Sequence, residues 1–378
     1  MTSKQSDPRP SDNTDGYPFD KTPIYTSSSG ATSSSGRQSA GRHPASAEAQ
    51  EKVDRLLDYV NQQIELLALD SPEPFMLRQM VQCLADPRRS TRLSLVESLS
   101  QIGEPATPFL LEGLANHPDA VVRRACCNAL TNIGDPEAVP VLVDALTTDP
   151  EIGVKSAAAG ALAKVGAPAF DSLKAVLSSE AASESCKGHA AWAMAAMSNE
   201  VSERLYRSVS DPSAAVRTAA IGAIASLAQK KMAQQASPVR LEIGQPKQGE
   251  LRTQVSTEPV PQRRKTDRPR VDPAQRATRI LTEALNDPSP EVKIEAAANL
   301  ARLNCQKAYQ PLVSCLKDPA AAVRSAAAMA LAKLGNPDAI EAISQLQQDT
   351  DTSVQRVATL AANQLKETAK EKTKKAKA

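Results

Sequence analysis

The sequence predicts an all-α chain, an α-solenoid of about eight short helix-pair repeats with disordered termini and a disordered insertion. Three observations carry that expectation. A basic residue recurs as Arg92, Arg123, Lys155, Lys187, Arg217, Lys293 and Arg324, with Gln355 in the last unit, at steps of 31, 32, 32, 30, 76, 31 and 31 residues. An aspartate keeps step with it, at Asp86, Asp149, Asp211, Asp287, Asp318 and Asp349, with His117 and Ala181 as departures. Aromatic residues make up only 3% of the 378, so a core of closely stacked, alanine-rich helices fits better than a large globular core.

Taken in order, residues 1–46 are rich in Ser, Thr, Pro and Gly. They hold too little apolar surface to offset the entropy of ordering, and are expected to be disordered. Within them, Tyr17-Pro18-Phe19 to Ile24-Tyr25 is an aromatic island for which a docking motif is the alternative to the favoured reading, incidental aromatics in a disordered tail. Residues 47–71 are expected to form a capping helix. Val53, Leu56, Leu57, Val60, Ile64 and Leu67 keep helical spacing, Ser46 is placed to cap the N-terminus, and Pro72 and Pro74 end the element.

Residues 72–228 hold five repeats. Each has a first helix opened by a segment such as Asp135-Pro136-Glu137-Ala138, a turn, and a second helix carrying the basic residue. The step of 76 holds one ordinary repeat and an insertion, 229–272, that is basic and rich in Pro, Arg and Gln and includes Pro261-Gln262-Arg263-Arg264-Lys265. Residues 273–365 hold three more repeats, and 366–378 form a Lys-rich, solvated tail.

Counted from the basic residue of each second helix, positions −1, +2, +3, +6, +7 and +10 are apolar or small. In one repeat these are Val122, Ala125, Cys126, Ala129, Leu130 and Ile133, which share one stripe and form the packed face. Position +5 lies about 130° from the centre of that stripe. It is Asn128, Gly160, Gly222, Ala298 or Met329 in five repeats and Trp192 in a sixth, with His189 one turn earlier. Trp192 and His189 are therefore candidates for a partner- or ligand-binding surface. The alternative is that the ring fills space over an alanine-rich neighbour, with His189 hydrogen-bonded at its edge. The recurring basic residue has a structural reading, in which it hydrogen-bonds the turn aspartate or a neighbouring carbonyl. The doubled Arg123-Arg124 adds a second candidate pair for binding.

Formal charge is +2 overall, yet the N-terminal segment, the insertion and the tail hold a net +10, which leaves the repeats at −8. An acidic body argues against nucleic acid as a partner. The cysteines 83, 126, 127, 186, 305 and 315 form no C-x-x-C pair and no zinc-type spacing with histidine, so no metal site is expected and the thiols are read as buried. No nucleophile–base motif, phosphate loop or paired-carboxylate site is visible, and no catalytic residue or cofactor motif is assigned. His43 lies in the N-terminal segment and His117 in a turn where other repeats place Asp, so a structural role is expected for His117. The N-terminus shows no apolar signal core, and no transmembrane run of eighteen apolar residues occurs, so the expected location is cytoplasmic.

The units running from Val121-Val122-Arg123-Arg124-Ala125 to Ile133-Gly134-Asp135-Pro136 and from Ala322-Val323-Arg324-Ser325-Ala326-Ala327 to Leu334-Gly335-Asn336-Pro337 resemble short HEAT-like repeats. With Gly188-His189-Ala190-Ala191-Trp192-Ala193, they are similar to repeats of the phycobilisome lyase family, over about residues 75–228 and 273–365. The resemblance implies a HEAT-repeat protein that binds a phycobiliprotein client, sometimes together with a second HEAT-repeat chain, and supports attachment or release of a linear tetrapyrrole (bilin) on client cysteines. A non-enzymatic scaffold in antenna or cofactor assembly is the alternative it leaves. The insertion of about 45 residues, the Ser-rich start and the Lys-rich end depart from a compact lyase.

Overall fold

The computed structural model describes residues 24, 46–66, 72–197, 201–236 and 273–377. Within these, every regular element is helical, and the chain divides into two compact units, Met1–Val165 and Gly166–Ala378. The expected disorder of 1–46 and of 237–272 lies outside the described residues, apart from Ile24 and Ser46. No helix among the described residues is long and apolar enough to cross a membrane.

The first unit begins with α1 (Ala47–Glu65), capped by the Ser46 hydroxyl, which accepts from the Ala49 N–H at 3.1 Å. It buries Val53, Leu56, Leu57 and Val60 and leaves Ile64 half-buried; Leu67 is outside the described residues. Three helix pairs follow: α2 (Pro74–Cys83) with α3 (Arg89–Ile102), α4 (Thr107–Asn116) with α5 (Ala120–Ile133), and α6 (Val139–Thr148) with α7 (Ile152–Val165). Their second helices pack in sequence, α1 on α3, α3 on α5 and α5 on α7. Arg88 ties the cap to the first repeat, with Nη1 on Asp54 at 2.9 Å and Nη2 on Asp86 at 2.9 Å.

The second unit holds five pairs: α8 (Phe170–Ser178) with α9 (Glu184–Ala196), α10 (Ser202–Ser208) with α11 (Ala214–Ala236), α12 (Pro273–Glu283) with α13 (Pro290–Arg302), α14 (Tyr309–Cys315) with α15 (Ala321–Leu334), and α16 (Ala339–Gln345) with α17 (Thr352–Lys377). Here too the second helices stack in order, α9, α11, α13, α15, α17. The insertion leaves the repeat register unbroken. Arg276 at the start of α12 stacks on the Tyr206 ring of α10 at 3.7 Å and bridges Glu203 with Nη1 at 2.6 Å and Nη2 at 3.2 Å.

The repeats share one local design. Among the described residues, the first helices α4, α6, α8 and α14 open through a single 3-10 turn that carries a Pro or a small residue, such as Pro136–Ala138 before α6. The second helices α5 and α15 end on Gly134 (φ 74°) and Gly335 (φ 68°), left-handed positions that a side chain would strain. The expected packed stripe of α5 is buried from Val122 to Leu130, while Ile133 is half-buried. Two boundaries differ from the sequence expectation. Helix α11 runs to Ala236, past residue 228, and α17 runs through Lys366 to Lys377. Both extensions are rich in Ala, Lys, Gln and Glu, which propagate a helix once a packed first half has nucleated it.

Candidate functional site

The aspartate of each turn closes its own loop first. An Oδ1 of Asp86, Asp149, Asp211, Asp287, Asp318 and Asp349 accepts the backbone N–H two residues on, at 2.8–3.0 Å. Six residues after the turn opens, an arginine returns. Arg123 Nη1 donates to the carbonyls of His117 and Pro118, Arg217 Nη1 to those of Asp211 and Pro212, and Arg324 Nη1 to those of Asp318 and Pro319. The same guanidinium then reaches the aspartate of the following repeat through two bonds. Arg123 to Asp149 measures 2.7 and 3.0 Å, Arg217 to Asp287 2.8 and 2.8 Å, and Arg324 to Asp349 2.7 and 2.6 Å. Lys293 makes one such bond, to Asp318, at 2.7 Å. The result is a ladder of ion pairs that links repeat to repeat.

Electrostatics follow from that geometry. Burial pushes the carboxyls of Asp149, Asp287 and Asp318 up, but the hydrogen bonds from Arg123, Arg217 and Lys293 and from backbone N–H groups outweigh it, so each lies below the usual carboxylate range. The hydrogen bond from Arg324 does the same for Asp349. Arg123 is thus turned inward, with its side chain only 11% exposed. Of the two readings the sequence leaves for it, the geometry supports the structural one. Its neighbour Arg124 is exposed and runs along Gly153, whose Cβ position lies 3.7 Å from the Arg124 Nη1.

His117 occupies an aspartate's place and does part of its work. Its Nδ1 accepts the Asp119 N–H at 3.1 Å, and burial holds the imidazole below its usual pKa, in the neutral form that can accept. The structural role expected for it is what the turn shows.

Trp192 and His189 sit on α9. Trp192 is 55% exposed, so the ring is not sealed over a neighbouring helix. His189 is half-buried, and its Nδ1 lies 2.7 Å from the Ser185 carbonyl, which it can meet only as a donor. That bond fixes the tautomer and leaves Nε2 with its lone pair. Its partner is the helix backbone, where the space-filling alternative put the edge of the Trp192 ring.

Extending position +5 through the second unit reveals more than Trp192. Met329 is 47% exposed and Leu360 66% exposed, with exposed Ala298 between Trp192 and Met329 in the stacking order. At Gly222 the row is covered, because Glu295 Oε1 lies 3.0 Å from where a Cβ would stand. The sequence carries the position as far as Met329 and singles out Trp192 alone. The register that places it, carried one repeat further to Leu360, is the signal that would have found the row.

The thiols offer little chemistry. Cys83, Cys126, Cys127, Cys186 and Cys315 are buried and Cys305 is half-buried; all are free. Burial pushes Cys83 and Cys127 up to about 12, far from a thiolate at neutral pH. Among the described residues, no group of three His, Cys, Asp or Glu is placed to hold a metal ion.

Comparison with known proteins agrees with the repeats. The family model of HEAT repeats matches residues 107–184 and 278–363. Bilin biosynthesis protein MpeU of Synechococcus sp. (strain WH8020) is 35% identical over 89 residues. That stretch is 24% of this chain and 30% of the relative, so the chain spans under a third of the relative's length. Among solved structures, the karyopherin Kap121p bound to the extreme C-terminus of the protein phosphatase Cdc14p is 14% identical, with a TM-score of 0.44, over 87% of this chain and 38% of that one. Human deoxyhypusine hydroxylase is 19% identical, with a TM-score of 0.24, over 84% of this chain and 98% of that one. Similarity at that level says nothing of what the chain does. The repeats of this all-α chain are thus similar to HEAT repeats over those two stretches, and one stretch of it is similar to a bilin biosynthesis protein.

Proposed function

We propose that this protein grips a phycobiliprotein client and supports attachment or release of a bilin on it, with the second unit supplying the client-facing surface. The observation that carries the reading is the exposed Trp192 ring, at the head of a row that Glu295 covers at Gly222 and that resumes at Ala298, Met329 and Leu360. An exposed tryptophan is the chemistry of an interface anchor. His189, one turn away, adds a polar contact at the anchor's edge. The link to bilins rests on the related bilin biosynthesis protein.

The test is co-expression with phycobiliprotein subunits and a bilin source, scoring covalent pigment on the client by mass. The expected result is pigment, or its removal, that depends on this chain and is lost with Trp192→Ala. The second reading is a scaffold that holds the client without chemistry of its own. A client complex that forms normally while pigment stays unchanged would establish that reading instead.

A further inference from the structure

The first unit carries a cleft of about 860 Å³ across the exposed sides of α1, α3 and α5. Its lining differs from the row just described. Asn61, Glu65, Glu97, Asn128 and Asn132 face it beside apolar side chains such as the exposed Leu93, and none of its described lining residues is basic. Several of these groups have capacity to spare. Asn61 Oδ1 accepts from the Ser98 hydroxyl at 2.8 Å, which leaves its Nδ2 donors. Asn132 Nδ2 donates to Ser100 Oγ at 3.1 Å, which leaves its Oδ1. Among the described residues, no hydrogen bond engages the side chain of Glu65 or Asn128.

Three facts combine. An amide side chain offers a donor and an acceptor side by side, which matches the N–H and C=O of an extended peptide. Three stacked helices at roughly 8–10 Å spacing give a floor near 20 Å long, room for about six extended residues at ~3.3 Å each. Residues 46–165 hold seventeen acidic and ten basic groups, a net −7, so almost the whole negative charge of the repeats sits on this unit.

We infer that this cleft binds an extended, Lys/Arg-rich segment of a partner protein, the asparagine amides taking its backbone and Glu65 and Glu97 its cationic side chains. The inference goes beyond the client reading and uses none of its residues.

The experiment titrates the full-length chain into a fluorescein-labelled decapeptide that alternates Arg with Ser, followed by fluorescence polarisation. Saturable binding is expected, absent for the Glu/Ser counterpart. Glu65→Gln with Glu97→Gln should weaken it roughly tenfold or more, and Asn128→Ala, which changes no charge, about threefold. Glu137→Gln with Asp144→Asn removes the same charge from exposed positions of the same unit outside the cleft, and should weaken it less than about threefold. Equal losses in the two double variants would reduce the effect to diffuse attraction and overturn the site, as would a failure to saturate. A chain lacking residues 259–270 that binds roughly tenfold tighter would show the cleft held by this protein's own basic segment, and would overturn the assignment to a partner.

Discussion

At position +5 the second helices carry Glu97, Asn128 and Gly160 in the first unit and Trp192, Gly222, Ala298, Met329 and Leu360 in the second. The two rows stand on the same scaffold, since the Arg123–Asp149 bridge of one unit and the Arg217–Asp287 bridge of the other agree to within 0.2 Å bond for bond. Charge follows the same division. Outside the segments set apart by composition, residues 46–165 are at −7, while 166–228 and 274–365 together are at −1. The interior of each repeat is repeated faithfully, and its exposed flank is free to differ. At this position Glu97 and Asn128 give one unit charged and amide groups, while Trp192, Met329 and Leu360 give the other apolar ones, on the same Arg–Asp bridge.

If the interior is truly common, breaking it should cost the same in either unit. Asp149→Ala and Asp287→Ala each remove a carboxylate that accepts two guanidinium bonds and one backbone N–H, and each leaves a partly buried arginine without its anion. A loss of about 2–3 kcal/mol is expected from each, read by urea unfolding. A large loss from one and none from the other would mean that the shared geometry conceals unequal roles.

The flanks should behave oppositely. Trp192→Ala should weaken client binding by about 2 kcal/mol and move stability by less than about 0.5 kcal/mol, because the ring is mostly in solvent. Leu360→Ser should weaken binding less, in the same direction, and Asn128→Ser in the other unit should leave the client untouched. Pull-down and thermal unfolding of each variant decide the matter. A Trp192→Ala protein that melts early would put the ring back into the core.

Acid should act on the ladder in both units. A carboxylate whose folded pKa is depressed contributes stability that is present above its unfolded pKa, near 4, and is lost as pH falls through the folded value. Asp149, Asp287, Asp318 and Asp349 are all shifted this way. Stability should therefore be flat from these groups above about pH 5 and decline below about pH 4, less steeply in Asp149→Asn and Asp287→Asn. Unfolding followed against pH would show it.

The ladder was half legible in the sequence. Two rulers in step revealed that a basic residue and an aspartate recur through most of the repeats, and helical counting placed Trp192 off the packed stripe. Which aspartate each arginine meets was not legible. Arg217 and Asp287 stand 70 residues apart, across the insertion, and only the stacking of repeats brings them together. The cleft of the first unit was invisible for a related reason. Asn61, Glu97 and Asn128 belong to three helices, and an exposed asparagine or glutamate on one helix looks like ordinary solvated surface until its neighbours are known. The overrun of α17 to Lys377 was missed because a Lys-rich run was weighed by charge alone, when its Ala, Glu and Lys are also strong helix formers.

The smallest expected effect tests whether the turn at His117 is a tolerated departure from the ladder. His117 supplies the acceptor for the Asp119 N–H, as the aspartates do for theirs, but an imidazole cannot also receive two bonds from an arginine. Arg92, one repeat earlier, already donates to the Asp86 and Pro87 carbonyls, as Arg123 does to those of His117 and Pro118. His117→Asp should therefore place a carboxylate before Arg92 where Asp149 stands before Arg123, and stabilise the first unit by about 0.5–1 kcal/mol. It should also remove a pH dependence. The folded His117 is shifted below 6.5, so its contribution is present above that value and fades as pH falls through the folded pKa, when the ring gains a proton and can no longer accept. Wild type should lose a few tenths of a kcal/mol below about pH 6 that the aspartate variant keeps until about pH 4. Parallel denaturant titrations at pH 7.5 and pH 5 would resolve the two, and a variant less stable than wild type at both would show that the histidine is fitted to its turn and is no stand-in for the aspartate.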